Sequence, residues 1–239
     1  MSQLLEINDL CVTRGTKTVL HDISMRLEAG RTVAVLGPNG AGKSSLVLAL
    51  AGVLAPASGS VALDGVRVTG LSPDRVRQAG IAAVPEGHQV LTRLTVRENL
   101  EVAVPERGSA DIAGSVERAY QLFPELREIA CRPAGALSGG QQQMVALAQG
   151  ILSRPSFLLA DEMSLGLAPV IVGRLMKAVR QIAAEGIGVL LIEQFTHVAL
   201  KLADHVYVLN RGRIGFQGSP AELAANPAVL QEAYLSGGA

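Results

Sequence analysis

The chain has 239 residues, 49% hydrophobic and 18% charged, enough apolar material for a substantial core in one large or two small domains. Lysine plus arginine (21) balance aspartate plus glutamate (21), aromatics are 3% and tryptophan is absent, which argues against a nucleic-acid surface built on a basic stripe or stacking aromatics. Cys11 and Cys131 lack metal-ligand spacing and read as reduced, buried or inert thiols, in keeping with a cytoplasmic location.

Taken in chain order, Met1-Ser2-Gln3-Leu4-Leu5-Glu6 lacks the charged region and long apolar core of a secretory signal. β-rich apolar segments are expected at 23–27, Thr32–Leu36, 61–63, Ile81–Val84, 157–160, 189–192 and 206–209, with helical patterns between several of them, which makes the fold α/β. Directly after the second segment comes Gly37-Pro38-Asn39-Gly40-Ala41-Gly42-Lys43-Ser44, a match to G-x-x-x-x-G-K-[ST]. Its glycines let the backbone turn its N–H groups onto phosphates, Lys43 reaches the β and γ oxygens, and Ser44 offers a hydroxyl to Mg²⁺. The helix that follows adds its dipole and free N–H groups through Ser45, so residues 40–45 bind ATP-Mg²⁺. The apolar run 46–57 belongs to that helix and falls short of the roughly 20 residues a membrane span needs. Asp64-Gly65 marks a hairpin turn.

Between residue 86 and about residue 152 the strand signal fades and helix starts take over. Thr95-Val96-Arg97-Glu98 is a capping box, and Met144, Val145, Ala148, Ile151 and Leu152 recur at helical spacing. Just ahead of them lies Leu137-Ser138-Gly139-Gly140-Gln141. By itself this is a capped helix start; beside a phosphate loop, its Ser138 hydroxyl and the open N–H groups of Gly139 and Gly140 suit a phosphate oxygen. The four apolar residues 157–160 then lead into Asp161-Glu162, a buried strand ending in two carboxylates. That pair is either a solvated strand end or, with the phosphate loop present, a working pair whose side chains point to opposite sides of the extended strand. In the working pair Asp161 holds Mg²⁺ or its water and Glu162 polarises the attacking water. Ser72-Pro73, Ser219-Pro220 and Asn226-Pro227 each place a capping side chain before a proline at the first helical position. Residues 236–239 read as a frayed tail.

With these motifs in this order, residues 4–235 resemble the nucleotide-binding subunit of ATP-binding cassette (ABC) transporters. The resemblance implies a P-loop NTPase core of ABC type with an antiparallel β part and an inserted helical subdomain, hence one nucleotide-binding domain with 1–85 and 153–239 as core and 86–152 as helical subdomain. It also implies that Ser138, Gly139, Gly140 and Gln141 serve the ATP held by an opposite ATPase subunit, so that the chain works as half of a pair. Val84-Pro85-Glu86-Gly87, Leu94-Thr95-Val96-Arg97-Glu98-Asn99-Leu100, Ser164-Leu165-Gly166-Leu167-Ala168-Pro169 and Ile192-Glu193-Gln194 are similar to the second ATPase subunit of branched-chain amino acid importers.

Two of these segments depart from the wider family. Glu86 replaces the glutamine that senses γ-phosphate and Mg²⁺, and Gln194 replaces the switch histidine. Glu86 can accept from Mg²⁺-bound water but offers no amide N–H, while Gln194 can bond the γ-phosphate but carries no positive charge. Hydrolysis at this chain's own site is therefore expected to be slower or differently gated, unless neither side chain reaches nucleotide. Arg14 stands where relatives place an aromatic against adenine; it either stacks its guanidinium on the base or is an ordinary exposed loop residue.

The partners implied are two membrane-spanning permease subunits contacted through residues 86–100, a second and different ATPase subunit, and an extracytoplasmic solute-binding protein, with this chain peripheral on the inner face of the cell membrane. An importer of urea or other amides is the alternative for cargo. A soluble ABC ATPase acting on DNA or ribosomes is the alternative of another class, although the long coiled-coil insertion or second cassette usual there is missing.

Overall fold

The structure, a computed structural model, describes residues 3–87, 89–105 and 111–235, so His88 and the tail 236–239 lie outside the described residues. In chain order the strands are β1 (Leu4–Arg14), β2 (Lys17–Glu28), β3 (Thr32–Leu36), β4 (Ser58–Leu63), β5 (Val66–Arg67), β6 (Ile81–Val84), β7 (Phe157–Asp161), β8 (Gly188–Ile192), β9 (His205–Asn210) and β10 (Arg213–Gly218). The helices are α1 (Lys43–Leu50), α2 (Pro73–Ala79), α3 (Val96–Glu101), α4 (Ile112–Leu122), α5 (Pro124–Glu128), α6 (Gly139–Leu152), α7 (Pro169–Ala184), α8 (Thr196–Ala199), α9 (Pro220–Ala225) and α10 (Pro227–Leu235).

Strand patterning sorts the two sheets. β1 and β2 mix buried and exposed positions, as strands with one covered face do, and form the antiparallel sheet β2-β1-β4-β5. All five positions of β3, β7 and β8 are buried, and these strands lie parallel inside the second sheet, ordered β10-β9-β3-β8-β7-β6. Their alternate side chains enter two different cores. Ala34, Leu36, Leu158, Ala160, Val189 and Leu191 pack with α6 and α7, while Val33, Val35, Phe157, Leu159, Leu190 and Ile192 pack against the antiparallel sheet and α1. Gly150 of α6 is what lets that helix lie so close, since a Cβ there would come within 2.7 Å of Val84 Cγ2.

Between β6 and β7 the described residues contain helices and one isolated bridge, Thr95 to Pro133. α3 and α6 are joined by polar contacts as well as packing: Gln149 Nε2 donates to Asn99 O (3.0 Å), and the fully buried Asn99 bonds back to its own entry loop at Leu91 and Thr95. The expected capping boxes form at Thr95 and Ser138, and Ser219 forms one as well. Ser72 makes no side-chain cap bond; its helix starts at Pro73 in an exposed first turn whose free N–H groups water can satisfy. Asp64 and Gly65 have φ of 50° and 77°, the mirror-image turn that joins twisted strands. Cys131 is exposed rather than buried, and Cys11 is half-buried with its Sγ accepting from Asp22 N at 3.3 Å.

β1, β5 and β10 were not expected from the sequence, because each mixes polar and apolar residues and is held by its sheet neighbours rather than by a clean period. Among the described residues no helix is long and apolar enough to cross a membrane.

Candidate nucleotide site

Parallel strands end together at one edge, and the loops leaving β3, β8 and β7 are neighbours because β8 lies between the other two. The phosphate loop follows β3, Asp161 ends β7, and Glu193 follows β8. Sequence segments about 120 residues apart are thereby brought together.

The loop itself is braced from behind. A Cβ at Gly37 would lie 2.2 Å from Leu209 O, and Gly42, the N-cap of α1, has φ 109°, which an L side chain rarely adopts. The β9–β10 turn completes the brace, with Gly212 N donating to Ala41 O (2.9 Å) and His21 N to Gly212 O (2.8 Å). Pro38 is half-buried, Asn39 and Gly40 are exposed, Ala41 and Ser45 are buried, and Ser44 is half-buried at the start of α1. The buried Lys43 ammonium donates to Gly37 O (2.9 Å) and Pro38 O (3.1 Å) and lies 3.4 Å from Glu162 Oε1.

Asp161 is 3% exposed, and its Oδ1 has no hydrogen-bond partner. Burial pushes its carboxyl up to about 6, against a hydrogen bond from Ser44, with the charges of Glu162 and Glu86 adding to the rise and Lys43 opposing it. A buried carboxylate oxygen without a partner, beside a serine hydroxyl and a lysine, suits a divalent cation. No group of three or more His, Cys, Asp or Glu among the described residues could hold a metal by itself. Mg²⁺ does not require one, since it is commonly held by one or two carboxylates together with phosphate oxygens.

Glu162 differs from expectation. It does not continue the strand: β7 stops at Asp161, and Glu162 takes a left-handed φ of 46° while its N–H donates to Ile192 O (2.8 Å). The two acids are thus separated by a backbone corner, not by strand alternation. Sequence reasoning about an extended strand had no signal for that corner, because glutamate seldom adopts such a φ without tertiary support.

Glu193, which carries no motif of its own in the sequence, is 1% exposed. Ser164 N donates to its Oε1 (3.2 Å), and the Ser164 hydroxyl donates to its Oε2. Burial raises its carboxyl to about 7, against the two Ser164 hydrogen bonds, with Glu162 and Asp161 contributing to the rise. The available signal was a carboxylate at the end of an all-apolar strand, the same one that marks Asp161.

The remaining expected residues are placed as follows. Glu86 is exposed, yet its charge reaches Asp161. Gln194 is half-buried, and its main-chain carbonyl accepts from Tyr234 OH (3.4 Å). Arg14 is exposed at the end of β1, opposite Lys17. Ser138 is exposed at the N-cap of α6, accepting from Gln141 N, while Gln141 Oε1 accepts from Ser138 N. Gln141 therefore caps its own helix. Gly140 is buried against Ile171 of α7. Among the described residues no hydrogen bond or ion pair links Ser138, Gly139, Gly140 or Gln141 to the phosphate loop.

Comparison with known proteins gives the family and the fold. Residues 20–164 match the family model described as ABC transporter. The chain is 41% identical to the high-affinity branched-chain amino acid transport ATP-binding protein BraG of Pseudomonas aeruginosa, over 98% of this chain and 100% of that one. It is 29% identical to BraF, a second such protein of the same organism, over 97% of each. A nucleotide-free ATP-binding cassette from an ABC transporter superposes with a TM-score of 0.84 at 26% identity, covering 96% of this chain and 98% of that chain. The chain therefore belongs to the ABC transporter family, as one of its ATP-binding, ATP-hydrolysing subunits.

Proposed function

We propose that this chain is one of two different ATPase subunits energising an importer of branched-chain amino acids, peripheral on the inner face of the membrane and joined to two permease chains and an extracytoplasmic solute-binding protein. The observation that carries the reading is the 41% identity to BraG over nearly the whole of both chains, against 29% to BraF. Reconstitution with its permease chains in vesicles tests it. ATP-dependent uptake of leucine, isoleucine or valine is the expected result; a preference for urea or another amide would defeat the cargo assignment.

Within the site, the N–H groups of Gly40, Gly42, Lys43, Ser44 and Ser45 receive the phosphate oxygens and Lys43 turns from its loop carbonyls toward the β and γ positions. Ser44 and Asp161 would hold Mg²⁺, which neutralises charge between the β- and γ-phosphates when bound. Glu162 takes a proton from the attacking water, and an incoming phosphate competes with it for Lys43, freeing the carboxylate for that task. Gln194, following β8, hydrogen-bonds the γ-phosphate, and Glu86 would accept from water held by a bound Mg²⁺. Ser138, Gly139 and Gly140 complete the partner subunit's site.

Contact with the permease chains is assigned to residues 86–100, beside a groove of about 750 Å³ between them and the α/β core that is lined by Val53, Gln89, Leu91, Val102 and Gln149. Val53, Leu91 and Val102 are exposed apolar side chains at 56%, 49% and 55%, suited to an apolar helix end from a partner. Leu91→Asp is expected to abolish co-purification with the permease chains while leaving nucleotide binding intact.

A further inference from the structure

Glu193 is a buried carboxylate that the chemistry above leaves without a task. An ionisable group at the end of an apolar strand is unfavourable unless its oxygens are satisfied, and packing alone would be served by an uncharged side chain. Both of its oxygens are committed to a single residue, Ser164, 29 positions earlier in the chain. Ser164 is itself 2% exposed and sits two residues after Glu162, inside the turn where Leu165 N donates to Glu162 O (3.3 Å). On the other side of the same turn, Glu162 N is held by Ile192 O, the carbonyl immediately before Glu193. The backbone bearing Glu162 is therefore pinned to the end of β8 at two points, one a main-chain bond and one the Glu193 carboxylate.

We propose that Glu193 is a positioning residue for hydrolysis: by gripping Ser164 it fixes the left-handed corner from which Glu162 projects, and it ties that corner to Gln194, its neighbour in the chain. The inference rests on Glu162 being the general base. Its high local density of negative charge, with Asp161 and Glu162 nearby, agrees with a carboxylate retained for what it holds rather than for stability. A grip of this kind acts on the chemical step more than on nucleotide affinity, because the phosphate loop that binds ATP is braced independently by the β9–β10 turn.

The test uses the assembled complex with Glu193→Ala, Glu193→Gln, Ser164→Ala and the double alanine variant, measuring kcat and KM for ATP and, separately, binding of a fluorescent nucleotide. Glu193→Ala is expected to lower kcat by about tenfold or more with KM within about threefold. Glu193→Gln, whose amide can still accept from Ser164 N and donate to its hydroxyl, is expected to restore most of the rate. The double variant is expected to be no slower than Glu193→Ala, as two residues acting as one unit require. If Glu193→Ala fails to fold, Ser164→Ala, which keeps the carboxylate and the Ser164 N bond but removes the hydroxyl, is expected to show a smaller loss that is likewise selective for kcat. Unchanged kcat in the folded alanine variants, equal losses in binding and turnover, or a glutamine variant as slow as alanine would each overturn the proposal. Glu162→Gln in the same preparation separates the two assignments. Retained hydrolysis there overturns the base and this inference with it, whereas abolished hydrolysis beside normal Glu193→Ala turnover overturns the positioning role alone.

Discussion

Glu162 is the proposed general base, and one substitution tests it. Glu162→Gln keeps the size and the corner but cannot take a proton, so hydrolysis is expected to fall by about 10²–10⁴-fold with nucleotide binding retained, measured by steady-state ATPase and nucleotide titration. Glu86→Gln and Gln194→His restore the groups usual in the wider family and are expected to raise turnover in the assembled complex; unchanged rates would show that neither side chain gates the reaction. A pH prediction follows from the two buried carboxyls. Asp161 and Glu193 have folded values of about 6 and about 7, above their ordinary 3.8 and 4.5, so the folded chain binds more protons than the unfolded one in that interval. Their contribution therefore makes the nucleotide-free chain less stable as pH rises from about 4, through the folded values of about 6 and about 7, and levels off only about one pH unit above the higher of them. Denaturant midpoints should show this decline in the parent and a flatter profile in Asp161→Asn/Glu193→Gln. The phosphate-loop lysine and Asp161 were legible from residue type and spacing, whereas the grip of Glu193 on Ser164 was not, because it joins residues whose only relation is adjacency of β7 and β8.

At the scale of elements, packing and caps act where the strand and helix patterns meet. Gly150→Ala would gain about 1 kcal/mol of helix propensity. Against it, the new Cβ meets Val84 at 2.7 Å and Leu158 at 3.0 Å, and overpacking of this kind costs about 1–3 kcal/mol, so net destabilisation is expected. Gly173 of α7 offers the control, since a Cβ there meets nothing within 4 Å and Gly173→Ala is expected to stabilise by up to about 1 kcal/mol. Chemical denaturation of both variants distinguishes local crowding from a general response to helix glycines. The capping boxes at Thr95 and Ser138 were readable because an N-cap and its partner lie three residues apart. Strands β1 and β10 were not, because edge and half-exposed strands are stabilised by partners that a local pattern does not reveal.

In the proposed pairing the whole molecule supplies part of each of two nucleotide sites. The phosphate loop, Asp161 and Glu162 share one sheet edge, while Ser138 stands exposed at the start of α6 with no hydrogen bond to them among the described residues. On the same proposal, an intact signature beside the altered positions Glu86 and Gln194 equips a different ATPase subunit, so unequal sites are expected in the native pair. Introducing Glu162→Gln in this chain, and the matching change in its partner, should reduce transport-coupled hydrolysis by different amounts. Equal losses would favour two equivalent sites.

The sequence by itself determined the family: a phosphate loop and a helix-start signature work through local backbone geometry, which short motifs encode. Tertiary structure alone decided how those parts meet. It set β8 between β3 and β7, turned Glu162 out of its strand through a left-handed corner, braced Gly37 with Leu209, and gave Glu193 a partner. Each of these depends on strand order and burial, which arise from contacts between distant segments and leave no period or spacing in the chain.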